Sequence, residues 1–178
     1  FLIRIQMNLH SHISLVGFMG SGKSTVGKTL AHALQCPLLD MDSIIERRKR
    51  KSIATIFAAI GEEKFRAYER QLLLELVNTP QPAIIVCGGG TPCFADAIDM
   101  LNAYTTTFYL HAPAKILHAR LKNEVAQRPL LQEGKKLRKF IKGLLAQREP
   151  FYRQAKFTIY TAGKTAREVA AEVVATGV

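Results

Sequence analysis

The residues Gly17-Phe18-Met19-Gly20-Ser21-Gly22-Lys23-Ser24 follow the spacing G-x-x-x-x-G-K-S, which gathers phosphate oxygens. Glycines without a Cβ let successive backbone N–H groups converge on one anion, and a helix starting behind them adds positive potential. In such a turn Gly20, Ser21, Gly22, Lys23, Ser24 and Thr25 would line a nucleotide's phosphates. Lys23 would reach the β- and γ-oxygens, and the Ser24 hydroxyl would ligate Mg2+.

Two carboxylates, Asp40 and Asp42, bracket Met41 at the end of a second short apolar run. Ligands of open parallel sheets bind outside the carboxyl ends of the strands, so both acids can face the phosphates. One acid can hold the metal's water shell while the other accepts a proton from an attacking hydroxyl. A plainer alternative makes Asp42 the N-cap of the helix that follows.

These side chains need a scaffold to converge. Ile13 to Val16 is a short apolar run ending at Gly17, as in a buried parallel strand, and Lys23 to Leu34 places Val26, Leu30, Ala33 and Leu34 on one helical face. Further strands are expected at Pro37–Leu39, Ala83–Cys87, Thr105–Leu110 and near Phe157–Tyr160. Helices are expected up to Asn78, with breaks near Ser52 and Gly61, and then at Phe94–Ala103, Ala114–Lys122, Lys135–Gln147 and Thr165–Ala175. Five strands alternating with helices require a parallel sheet covered on both faces, a three-layer α/β/α fold. The chain reads as one domain over residues 1–178, with residues 1–12 as an N-terminal extension and the polar, Pro129-bearing stretch 123–134 as a loop.

Composition narrows the class of protein. At 178 residues, 48% hydrophobic and 22% charged, the chain has material for a single sizeable core. No run approaches the roughly 18 apolar residues of a membrane span, and the opening residues lack the apolar core of a secretory signal, so a cytoplasmic protein without a membrane partner is expected. An excess of 25 Lys and Arg over 14 Asp and Glu gives a net charge of +11, which attracts polyanions in general. Two basic clusters stand out: Arg47, Arg48, Lys49, Arg50 and Lys51, and then Lys135, Lys136, Arg138, Lys139 and Lys142. Neither carries the interleaved aromatics of a base-stacking surface, so they read first as solvated helix faces and no nucleic-acid partner is expected. Cys36, Cys87 and Cys93 form no C-x-x-C pair, and the five histidines show no metal-ligand spacing.

Taken in order, the phosphate loop, Asp40 and Asp42, Phe65-Arg66-Ala67-Tyr68-Glu69, Gly88-Gly89-Gly90, Arg128-Pro129-Leu130-Leu131 and Arg148-Glu149-Pro150-Phe151-Tyr152 resemble the shikimate kinase family over roughly Ile13 to Val174. The resemblance implies a nucleoside-monophosphate-kinase-like P-loop fold with a mobile lid at 123–134, and transfer of the ATP γ-phosphate to the 3-hydroxyl of shikimate on the route to chorismate and aromatic amino acids. It implies Lys23, Asp42 and Arg128 as catalytic residues, with Arg128 also on the nucleotide's side. Asp42, Arg66, Gly88, Gly89, Gly90 and Arg148 would hold the acceptor, and Ser24 with Asp40, through water, would hold Mg2+. Guanidinium forks suit a carboxylate substrate. Arg120 and Lys164 are candidates for the adenine contact, and a monomer is the expectation.

One departure concerns a helix: the family often carries Gly where this chain has Arg50 or Lys51. The alternatives are another small-molecule P-loop kinase, such as a gluconate kinase, or a nucleotide- or nucleic-acid-binding module without chemistry. The ordered motifs favour shikimate.

Overall fold

The computed structural model describes residues 11–122 and 134–178, with the backbone alone at 134–136. Its elements are β1 (His12–Val16), α1 (Lys23–Leu34), β2 (Leu38–Asp40), α2 (Met41–Lys49), α3 (Ile53–Val77), β3 (Ile84–Val86), a 3-10 turn (Thr91–Cys93), α4 (Ala97–Tyr104), β4 (Thr105–His111), α5 (Ala114–Lys122), α6 (Gly134–Tyr152), β5 (Phe157–Tyr160) and α7 (Ala166–Ala175). The strands form one parallel sheet in the order β2-β3-β1-β4-β5. Every strand therefore ends on the same edge, and the loops that leave that edge can meet.

The sheet separates two cores. On one face α1 and α7 cover Ile13, Leu15, Ile84, Val86, Phe108 and Leu110 with Val26, Leu30, Val169 and Val173. On the other, Val16, Ile85, Cys87 and Tyr109 pack against Met41, Phe65, Leu72, Leu117, Ile141 and Tyr152 from α2, α3, α5 and α6. Successive residues of β1 thus point to opposite layers, and both layers are apolar, the reason Ile13, Leu15 and Val16 are all apolar, while the buried Ser14 hydroxyl lies 2.6 Å from Thr105 Oγ1. Close approach of α1 to the sheet depends on Gly27, where a Cβ would lie 2.6 Å from Val86 Cγ2.

Several boundaries differ from the sequence reading, each for a physical reason. β1 takes in His12, whose Nδ1 accepts from Ala83 N (3.1 Å) while Nε2 lies 3.1 Å from the Thr79 carbonyl. The helix expected at Phe94–Ala103 starts only at Ala97. Before it, Pro92 shapes a 3-10 turn and Ala95 takes φ 50°. α6 continues past Gln147 to Tyr152 although it contains Pro150. Burial of the Tyr152 side chain at 0% exposure holds that last turn against the one hydrogen bond proline removes. Gly61 interrupts α3 with φ 77° and ψ 169°, as its composition suggested. Arg50 ends α2 in the left-handed region at φ 52°, the conformation for which glycine is favoured.

Candidate active site

At the carboxyl edge of the sheet, the turn after β1 takes φ 144° at Gly17, 76° at Gly20 and 100° at Gly22, values that L side chains rarely adopt. These angles fold the loop around the N-terminus of α1, where Lys23 begins the helix. Its ammonium donates to the carbonyls of Gly17 (2.9 Å) and Phe18 (3.0 Å). Burial, partly offset by the nearby charge of Asp42, lowers its pKa to about 8.

Ser24 and Asp40 meet as expected: Ser24 Oγ donates to Asp40 Oδ2 at 3.0 Å, while Oδ1 accepts from Ser43 N at 3.1 Å. Asp40, rather than Asp42, is therefore the N-cap of α2. That frees Asp42, in the first turn, for other work. A hydroxyl beside a carboxylate is a hard-oxygen pair that suits Mg2+, which binds through one or two protein oxygens plus nucleotide phosphates and water.

Asp42 points toward the turn that follows β3. A Cβ on Gly88 would lie 2.9 Å from Asp42 Oδ1, 2.9 Å from Thr91 Oγ1 and 3.0 Å from Glu69 Oε1. The Asp42 residue is exposed toward the cleft, yet its carboxyl is crowded by these protein groups. Withdrawal from water foremost, then the charges of Glu69 and Asp40, push its pKa up to about 6 against the pull of Lys23.

Arg66 sits on α3, packed over the same turn: a Cβ on Gly90 would fall 2.3 Å from its Nη2. Only 9% exposed, it is held by an ion pair with Glu69, which is 2% exposed, and by Glu62 at 3.5 Å. Glu69 also accepts from Thr91 Oγ1 at 2.8 Å, so both of its oxygens are engaged. Arg148 reaches the turn from α6, with Nη1 3.5 Å from where a Gly89 Cβ would stand, and Tyr152 Oη donates to the Gly89 carbonyl at 2.5 Å.

A second recess, about 450 Å³, adjoins the phosphate loop and is lined by Gly20, Ser21, Gly22, Thr25, Arg120, Thr161 and Lys164 among others. Arg120 spans it, donating to Gly20 O (3.1 Å), Ser21 O (3.3 Å) and Thr161 O (3.2 Å). Lys164 pairs with Glu172. Both adenine candidates thus lie on one recess. Ser21 Oγ is buried and has no hydrogen-bond partner among the described residues.

Lys23, Ser24, Asp40, Asp42, Arg66, Gly88 to Gly90 and Arg148 are therefore brought to one edge of the sheet. Arg128 and the expected lid lie outside the described residues, apart from Gly134, which opens α6. The sequence reading missed Thr91 and gave no role to Glu69 or Tyr152. The i,i+3 spacing of Arg66 and Glu69 on a helix was the available clue to Glu69, whereas nothing local joins Tyr152 to Gly89.

A phosphate loop closed on Lys23 at the edge of a five-stranded parallel sheet, facing a carboxylate and two arginines, defines a P-loop kinase. A family model described as shikimate kinase matches residues 19–177, and the chain belongs to that family. It is 44% identical over 155 residues to a shikimate kinase of Bacteroides fragilis, covering 85% of each chain. It is 39% identical over 159 residues to one of Azobacteroides pseudotrichonymphae, covering 88% of this chain and 94% of the relative. Among solved structures, shikimate kinase from Acinetobacter baumannii in complex with shikimate superposes with a TM-score of 0.87 at 34% identity, over 95% of this chain and 93% of that one. A gluconokinase from Sinorhizobium meliloti, at 15% identity and a TM-score of 0.59 over 95% of this chain and 92% of that one, shares the fold alone. No helix among the described residues is long and apolar enough to cross a membrane.

Proposed function

We propose that this chain transfers the γ-phosphoryl group of ATP to the 3-hydroxyl of shikimate. The observation that carries the reading is the Gly88–Gly90 turn, on which Asp42, Arg66 and Arg148 converge from three different helices. The two guanidiniums suit the acceptor's carboxylate, and Glu69 keeps the Arg66 fork oriented. Asp42 accepts the proton as the acceptor oxygen bonds to the γ-phosphorus and the bond to the β–γ bridging oxygen of ATP breaks. With a pKa of about 6, it is ionised at neutral pH while remaining basic enough to take that proton.

Lys23 exchanges its bonds to loop carbonyls for phosphate oxygens and neutralises charge that grows there. Ser24 and Asp40 would hold Mg2+, which supplies charge neutralisation at the phosphates when bound. Arg128 is proposed to reach the transferred group from the lid at 123–134. A cytoplasmic, monomeric enzyme belongs to the same proposal, to be checked by cell fractionation and gel filtration.

A coupled assay of ADP release across shikimate, quinate and gluconate tests the reading. Turnover restricted to shikimate is the expected result, and preference for gluconate would replace the acceptor assignment.

A further inference from the structure

The Gly88–Gly90 turn consists of three residues without side chains to restrict their dihedrals, so sterics alone leave its peptide planes free to rotate. Backbone donors set two of its carbonyls, Gly88 O from Thr91 N (3.2 Å) and Gly90 O from Cys93 N (3.0 Å), which leaves the Gly89 carbonyl to another partner. Tyr152 is completely buried, with its ring 5.2 Å from that of Tyr109, and its Oη donates to the Gly89 carbonyl at 2.5 Å. Burial raises the phenol's pKa well above the ordinary value, so the group remains an O–H donor, while the Arg148 guanidinium beside the same oxygen acts in the other direction. No peptide bond among the described residues is cis. In a trans peptide the N–H points opposite to the C=O, so fixing the Gly89 carbonyl toward α6 turns the Gly90 N–H away from it.

We propose that Tyr152 is a positioning residue for the acceptor: its hydroxyl fixes the Gly89–Gly90 peptide so that the Gly90 N–H faces the bound substrate, and ties this turn to the helix that carries Arg148. The proposal rests on the acceptor site described above. Arg148 and Tyr152 lie four residues apart, one turn of α6, so a single helical face presents the carboxylate fork and holds the backbone donor at a fixed spacing from it. Cys93, in the 3-10 turn that follows the glycines, also reaches α6, its Sγ 4.0 Å from the Arg148 carbonyl.

Tyr152→Phe keeps the ring and removes only the donor. It is expected to raise the KM for shikimate about tenfold while kcat and the KM for ATP stay within about twofold, because one hydrogen bond's worth of acceptor orientation is lost. A lower melting temperature with an unchanged shikimate KM, or equal rises in both KM values, would mean that the tyrosine only packs and would overturn the proposal. In the parent protein, 15N spectra are expected to show the Gly90 amide moving on addition of shikimate and not of ADP alone. An amide indifferent to shikimate would overturn it as well, whatever the stability of the variant. A parent that fails to phosphorylate shikimate overturns both readings, whereas an active parent whose Phe variant keeps its shikimate KM overturns this one alone.

Discussion

Lys23 and Asp42 oppose each other across the site with pKa values displaced toward neutrality from both sides, to about 8 and about 6. The proposed transfer requires Asp42 ionised and Lys23 charged. The profile of kcat/KM for ATP in the free enzyme should therefore rise as pH increases through about 6 and fall again through about 8, both limbs belonging to the coupled pair. Asp42→Asn should remove the lower limb and slow single-turnover chemistry by about a hundred- to ten-thousandfold, with ATP binding little changed. The same substitution should raise the melting temperature above pH 6, because a carboxyl whose folded pKa is raised costs stability once ionised. That gain should fade as pH falls toward the ordinary carboxylate range, where the unfolded chain also holds the proton. Lys23→Ala should lower kcat by on the order of a hundredfold or more. Arg66→Lys should raise the shikimate KM with little effect on that for ATP, since an ammonium keeps the charge but loses the fork that Glu69 holds.

Elements that depend on local pattern are legible in the amino-acid sequence alone. α1, α5 and β5 lie where apolar spacing and β-branched or aromatic residues place them, and the loop between β1 and α1 follows from its glycines. What the chain hides is where distance in sequence decides the outcome. Asp40 and Asp42 are chemically alike, and only the three-dimensional structure shows Asp40 as the cap of α2 through Ser43 N with its other oxygen on Ser24, a residue of another helix. The helix expected to end at Gln147 runs on through Pro150 to Tyr152, whose burial beside Tyr109 offsets the proline. Arg50 shows the opposite case: the resemblance points to a departure at Arg50 or Lys51, and the structure places Arg50 in the left-handed position at the end of α2. Arg50→Gly should therefore stabilise the protein by about 0.5–1 kcal/mol, the cost of a side chain in that region less the entropy glycine adds to the unfolded chain. Thermal unfolding checks the gain, and activity should not change.

Across the whole molecule, ligands that bind the folded form shift its unfolding. Shikimate at about a hundred times its Kd should stabilise the protein by about 2.7 kcal/mol, a rise in melting temperature that Arg66→Lys should sharply reduce at the same concentration. The two cores separated by the sheet give this a wider meaning. Lys23, Ser24 and Thr25 ride on α1, against the layer built with α7, whereas Asp42, Arg66, Glu69, Arg148 and Tyr152 belong to helices of the opposite layer. In the proposed mechanism the groups on α1 that meet the phosphates thus come from one side of the partition and the acceptor groups from the other, while Arg120 on α5 and Asp40 at the start of α2 reach the phosphate loop from the acceptor's side. On this reading inheritance can act on the two sides unequally: substitutions in α3 and α6 should retune which small alcohol is accepted with little change in the handling of ATP, and a chimera that exchanges those two helices should change its acceptor while retaining its nucleotide.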